Sequence, residues 1–187
     1  MENILEVKNL EKRYDKNGFY LDKISFSVPK GSIVGLIGEN GSGKTTTIST
    51  LLGLRKKDGG NVKLFGKEFN NEDVEVKERI GVSFDEVYLP RNLKAREISK
   101  IYKNIYEFWD EEYFINTLEK LGISKEKKVG DYSKGMQKML SIVLSMSHKP
   151  ELLILDEPTS SLDPVIGSFI LVLALSFISV NNFNQRC

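Results

Sequence analysis

The sequence predicts an α/β fold built on a mostly parallel central sheet, with an antiparallel β subdomain at its N-terminus and a helical subdomain inserted between two core segments. Three observations lead there. Short alternating runs fill the first thirty or so residues. Two unbroken apolar runs, "SIVGLIG" and "ELLILDEP", have the pattern of strands buried on both faces. Between them, from about Asp85 to Met146, the pattern turns helical.

Taken in order, "ILEVKNLEKRY" and "FYLDKISFSV" are strand patterns separated by the turn "DKNG". Pro29, Lys30 and Gly31 then punctuate before the first buried run. "TTTISTLLGL" carries a helical apolar stripe at Ile48, Leu51, Leu52 and Leu54, and "DGGNVKLFGKEF" returns to turn and strand. Tyr102, Tyr106, Phe108, Trp109, Tyr113 and Phe114 read as packing for the helical lobe rather than as a base-stacking platform. The expected organisation is a single incomplete domain: an α/β core of about 1–84 and 147–164, a helical subdomain of about 85–146 and an atypical apolar tail of 165–187.

Bulk properties narrow the function classes. The chain has 187 residues, 40% hydrophobic and 28% charged, as in ordinary soluble globular proteins. A formal net charge of +1 gives no global field to favour nucleic acid or an anionic membrane. Cys187, the single cysteine, excludes an internal disulfide and suits a reducing compartment. "MENILEVKNL" lacks the basic-then-apolar pattern of a signal peptide.

The chemistry concentrates in two places. "GENGSGKT", Gly38 to Thr45, satisfies G-x-x-x-x-G-K-[ST] between an expected strand and an expected helix. Gly38, Gly41 and Gly43 permit backbone angles that turn successive N–H groups onto a phosphate, and the helix N-terminus adds partial positive charge. The whole loop is therefore the expected nucleotide cradle: Gly38, Glu39, Asn40, Gly41, Ser42, Gly43, Lys44, Thr45 and, in the first helical turn, Thr46. Glu39 is an outward-facing filler within it. Lys44 is placed to reach the β- and γ-phosphates, and the Thr45 hydroxyl to ligate Mg²⁺. "LLILDEP" then presents Asp156 and Glu157 at the carboxyl end of a strand, where Asp156 would hold Mg²⁺ through water and Glu157 would polarise the attacking water.

With "YSKGMQKM" added, the order phosphate loop, "YSKGMQ", "LLILDEP", "SSLD" resembles the nucleotide-binding domain of ABC transporters over about residues 1–164. The resemblance implies that Ser133, Gly135 and Gln137 belong to a signature contacting the γ-phosphate of ATP on a partner domain, so that two copies close over two nucleotides. Lys134 stands where glycine is common. Tyr14 falls where the family stacks an aromatic ring on adenine, and Asp163 in a loop that reaches across the dimer. The family's Mg²⁺-ligating glutamine aligns with Asp85, an acid of shorter reach.

Implied partners are a membrane-spanning subunit docked on the helical lobe and a second nucleotide-binding domain, with ATP and Mg²⁺ as ligands and no nucleic acid. The implied function is ATP binding and hydrolysis driving solute transport, at the inner face of the cell membrane. The signature style resembles bacterial single-domain subunits, often exporters. Soluble ABC ATPases of ribosomes or DNA carry paired domains or long coiled-coil insertions, which this sequence lacks.

The tail departs from the pattern. Val165 to Val180 holds no charge across 16 residues, where the resemblance implies a charged helix, a strand and a histidine contacting the γ-phosphate. His148, in "SHKPELLILDEP", precedes the acidic strand and reads as a loop residue. The run falls short of the ~20 residues a spanning helix needs. Two origins are open: a variant ending, or, favoured by the abrupt charge loss, out-of-frame translation after about residue 165. The alternative function is thus a truncated, catalytically impaired ATP-binding or dimerisation module.

Overall fold

The computed structural model describes residues 2–14, 18–160, 162, 167 and 168. The chain divides into two compact units, Met1–Lys77 and Glu78–Cys187.

In the first unit, β1 (Asn3–Arg13) pairs antiparallel with β2 (Tyr20–Pro29) on one side and β3 (Gly59–Leu64) on the other, and β4 (Lys67–Glu68) completes the order β2-β1-β3-β4. The inward residues of β1 run Leu5, Val7 and then Leu10, a change of phase. A register shift between Val7 and Leu10, with Asn9 at φ 49°, absorbs the extra residue and returns Leu10 to the core. A two-residue loop, Phe65 and Gly66, both at positive φ, closes the β3–β4 hairpin as the strand twist requires. Helix α1 (Lys44–Leu51) packs on β1, burying Ile48 and Leu51, each worth roughly 1.5–3 kcal/mol if fully removed from water.

Two expectations for this unit are corrected. Residues 32–39 form no strand: Ile33, Val34, Leu36 and Ile37 are exposed, Ile37 almost completely. A strand buried on both faces needs a neighbour on each edge, and no described strand pairs with this run. The apolar stripe of α1 also stops early. The chain leaves the helix at Gly53, φ 69°, which leaves Leu54 exposed beyond it. The turn residues 15–17 lie outside the described residues.

In the second unit, β5 (Ile80–Ser83) and β6 (Leu152–Leu155) pair in parallel, Ile80 opposite Leu152 through Ser83 opposite Leu155. An ion pair from Arg79 Nε to Glu151 Oε1 at 2.5 Å fastens the start of the ladder. After the short helix α2 (Val74–Glu78) that precedes β5, the lobe between the two strands contains α3 (Ala95–Ile105), α4 (Glu111–Lys120), a 3-10 turn at Val129–Asp131 and α5 (Lys134–Met146). Asp110 and Ser133 cap α4 and α5, accepting from Tyr113 N at 2.8 Å and Met136 N at 3.2 Å. Ile98, Phe114, Leu118, Leu140, Ile142 and Leu144 form the centre of the lobe core.

The aromatic residues pack as expected, in a chain from Tyr102 through Trp109 to Phe114 with 5.4 Å between successive ring centres. Phe108 is the exception and is exposed. An antiparallel N-terminal sheet together with a helix-covered parallel pair is the expected α/β architecture. No described helix is long and apolar enough to cross a membrane. The expectations for Asp163 and for the tail from residue 165, Gly167 and Ser168 apart, lie outside the described residues.

Candidate phosphate-binding and acidic sites

The phosphate loop lies wholly in the first unit. Gly41 and Gly43 take φ 84° and 96°, the left-handed region that costs other residues about 1–2 kcal/mol, and Gly43 leads directly into α1. The loop folds around its own lysine: Lys44 Nζ donates to Gly38 O at 2.8 Å and Glu39 O at 3.1 Å. Thr47 Oγ1 returns a hydrogen bond to Gly43 O at 2.8 Å, fixing the first turn. Asn40, Ser42 and Thr45 are exposed at the loop surface, and Thr46 is half-buried behind them.

At two glycines an added side chain would displace a neighbour. A Cβ on Gly38 would collide with the Ser42 side chain, and one on Gly43 with the Phe19 ring. A loop closed this tightly, with its ammonium drawn inward, is a cradle of the right chemistry for a polyphosphate.

Tyr14, the expected adenine-stacking residue, is 38% exposed and meets Phe19 at 6.3 Å between ring centres. The Arg55 guanidinium lies 5.3 Å from the Tyr14 ring centre and Lys12 Nζ 5.9 Å from it. Phe19 thus links the aromatic face at Tyr14 to the loop at Gly43. Its place in "GFYLDK" suggests only the start of a strand, so nothing in the sequence marks it.

The second unit brings together Asp85, Asp156, Ser160 and Lys138, the last two not anticipated from sequence. Asp156 is only 2% exposed at the end of β6, and its N–H donates to Ser83 O at 2.8 Å. Glu157 follows on the surface at φ 50°, a strained backbone of the kind concentrated at functional sites. Lys138, 2% exposed in α5, donates to Phe84 O at 2.8 Å and Asp156 O at 2.9 Å, and lies 3.8 Å from Asp85 Oδ1. Burial holds this ammonium below the usual lysine range, opposed by the charges of Asp85, Asp156 and Glu157. Ser160 Oγ donates to the Asp85 carboxylate from the other side.

At the signature, Ser133 is the exposed N-cap of α5 and Gly135 lies in its first turn. Gln137 turns its amide back into its own lobe, Nε2 donating to Val129 O and Tyr132 O at 3.2 Å each. His148 is buried after α5, with Nε2 3.2 Å from Ile80 O and its ring stacked on Tyr106, as a structural loop residue. Burial lowers its pKa.

Among the described residues no three His, Cys, Asp or Glu side chains cluster as a self-sufficient metal cage. Thr45 in the first unit and Asp156 in the second each present an oxygen of the kind Mg²⁺ takes, an ion ordinarily held by one or two protein oxygens together with substrate phosphates.

Residues 21–160 match the family model described as ABC transporter. The bacitracin transport ATP-binding protein BcrA of Bacillus licheniformis is 39% identical over 167 residues, 88% of this chain and 54% of its own length. The lantibiotic transport ATP-binding protein SrtF of Streptococcus pyogenes is 35% identical over 164 residues, 87% of this chain and 69% of its own. A solved structure of a putative ABC transporter ATP-binding protein from Pyrococcus furiosus superposes with a TM-score of 0.77 at 25% identity, covering 93% of this chain and 85% of that one. The chain spans about half the length of the first of these relatives.

Proposed function

The chain belongs to the ABC transporter family, and from that membership we propose that it acts as the ATP-binding subunit of a transporter, hydrolysing ATP to drive solute through a separate membrane-spanning subunit. The observation that carries the proposal is the loop at Gly38–Thr45, closed by left-handed Gly41 and Gly43 around the inward-drawn Lys44 ammonium.

In this reading the loop amides from Gly38 to Thr46, Glu39, Asn40 and Ser42 included, surround the phosphates, and Lys44 neutralises their charge. One unit charge ~4 Å away is worth ~4 kcal/mol at an effective dielectric near 20. Tyr14 stacks on adenine. Thr45 and Asp156 would each offer an oxygen to Mg²⁺, which would supply charge neutralisation to the phosphates. Asp85 serves the metal less directly, because Lys138 and Ser160 already engage its carboxylate. Glu157 accepts the proton of the attacking water. Ser133 and Gly135 offer a capped helix N-terminus to the γ-phosphate on a partner domain, with Gln137 bracing the turn before them.

The partners are then a second nucleotide-binding domain and the membrane subunit, at the inner membrane face. The bacitracin and lantibiotic roles of its relatives favour an antibiotic among the solutes. Steady-state phosphate release tests the chemistry. Replacing Glu157 by Gln is expected to lower turnover by roughly 10²–10⁴, the usual worth of a general base. Equal turnover in the two proteins contradicts the assignment.

A further inference from the structure

We propose that Lys138 is a positioning residue for the metal–nucleotide site, its buried ammonium clamping the Asp85 loop, the Asp156 end of β6 and helix α5 into one unit. The inference rests on the ATP-binding reading above and assigns that site a residue it otherwise lacks.

Lysine is almost never fully buried unless paired, yet Lys138 is 2% exposed, with Met139, Leu140 and Ile142 buried after it in α5. An ammonium has three donors, and the structure surrounds this one with three acceptors. Two are backbone carbonyls, Phe84 O at 2.8 Å and Asp156 O at 2.9 Å. The third direction faces Asp85 Oδ1 at 3.8 Å.

These partners are chemically significant. Residue 156 carries the buried carboxylate assigned to Mg²⁺, and residue 85 is the neighbouring acid. Ser160, beyond the acidic pair, closes the circuit by donating to Asp85. Lys138 also belongs to a polar stripe. Ser141, one turn on, meets Ser83 through their hydroxyls at 3.0 Å, so the same face of α5 registers the helix against β5. Of that stripe only Lys138 reaches past the strand to its carboxyl end, where the acids stand. A residue needed merely to fill the core would not place a charge there. One that fixes the carbonyl of residue 156 sets where the adjoining carboxylate points.

Two measurements on the full chain test this. In amide hydrogen exchange without nucleotide, Lys138→Met is expected to lose protection at residues 83–86 and 155–160 while α3 and α4 keep theirs. In calorimetry, ATP affinity is compared with Mn²⁺ present and with the metal removed by EDTA. Lys138→Met is expected to weaken the metal-dependent affinity by roughly 10- to 100-fold, as loss of a supporting partner does at metal sites, with the EDTA value unchanged. Lys138→Gln, which keeps two N–H donors, recovers part of both effects and stands in if the methionine variant does not fold.

Unchanged exchange together with unchanged metal dependence overturns the proposal. An equal fall in both affinities does too, because it marks a packing role alone. If the unaltered chain binds ATP under neither condition, the functional reading fails and this inference with it, whatever the exchange data show.

Discussion

Replacing Gly43 by Ala tests the geometry of the phosphate loop without touching a charged group. Two costs combine. The residue sits at φ 96°, where a Cβ costs about 1–2 kcal/mol. The new methyl also runs into Phe19, with Cε1 at 3.1 Å, Cε2 at 3.3 Å and Cζ closer still. Relief requires the ring to swing outward; Phe19 is 37% exposed, so it has somewhere to go, at an overpacking cost of about 1–3 kcal/mol. The expected total is about 2–5 kcal/mol, a large share of the 5–15 kcal/mol typical of a domain.

Urea unfolding of wild type, Gly43→Ala, Phe19→Ala and the double variant separates the terms. Removing the ring should rescue the collision part and leave the backbone part, giving a coupling of about 1–3 kcal/mol. A Gly43→Ala cost below about 0.5 kcal/mol, or additivity with Phe19→Ala, would refute the described loop.

Other outcomes follow from the second unit. Burial holds the folded pKa of His148 below that of the unfolded chain, so the unfolded state takes up more protons; stability should fall as pH drops below about 6.5 and level off beneath the folded value, and His148→Gln should flatten that slope in pH-dependent thermal unfolding. Ser133→Ala removes the cap of α5 and should cost about 0.5–2 kcal/mol in chemical denaturation, with Ser133→Gly costing less. In Gly81→Ala the added methyl would strike the Ser145 carbonyl and come within 2.8 Å of Pro150 Cγ; because the obstacle is backbone, a loss of about 3 kcal/mol or a failure to fold is expected in the same assay.

Local chemistry was the part legible in the sequence. The glycine spacing of 38–45 pointed to a loop whose strained angles other residues resist, found at Gly41 and Gly43 but not at Gly38, and Ser133 ahead of "KGMQKML" pointed to the cap it forms. Alternation in β1 and β2 was readable apart from the phase change at Asn9, which no period-two pattern signals. What failed was non-local. "SIVGLIG" has the composition of a buried strand, but composition cannot supply the pairing edges that a strand needs, and the residues lie exposed.

Lys138 was missed because a lysine in a helix is normally solvated. Its signal was present nonetheless: Lys138, Ser141 and Ser145 recur at i, i+3 and i+7 among the apolar residues of α5 after Gln137, the spacing of one helix face, on which Ser141 meets Ser83 of β5. Phe19 left no such trace, since its contact with Gly43 depends on two segments distant in sequence.

The claim beneath all of this is that the loop amides and the Lys44 ammonium form a binding site for the terminal phosphates of ATP. Isothermal titration of ATP with Mg²⁺ into the folded chain and into Lys44→Ala measures it directly. Saturable binding that falls by roughly 10²–10³ in the variant is the predicted result, the upper end corresponding to the full ~4 kcal/mol of one such charge. Identical isotherms for the two proteins, with or without binding, would contradict it.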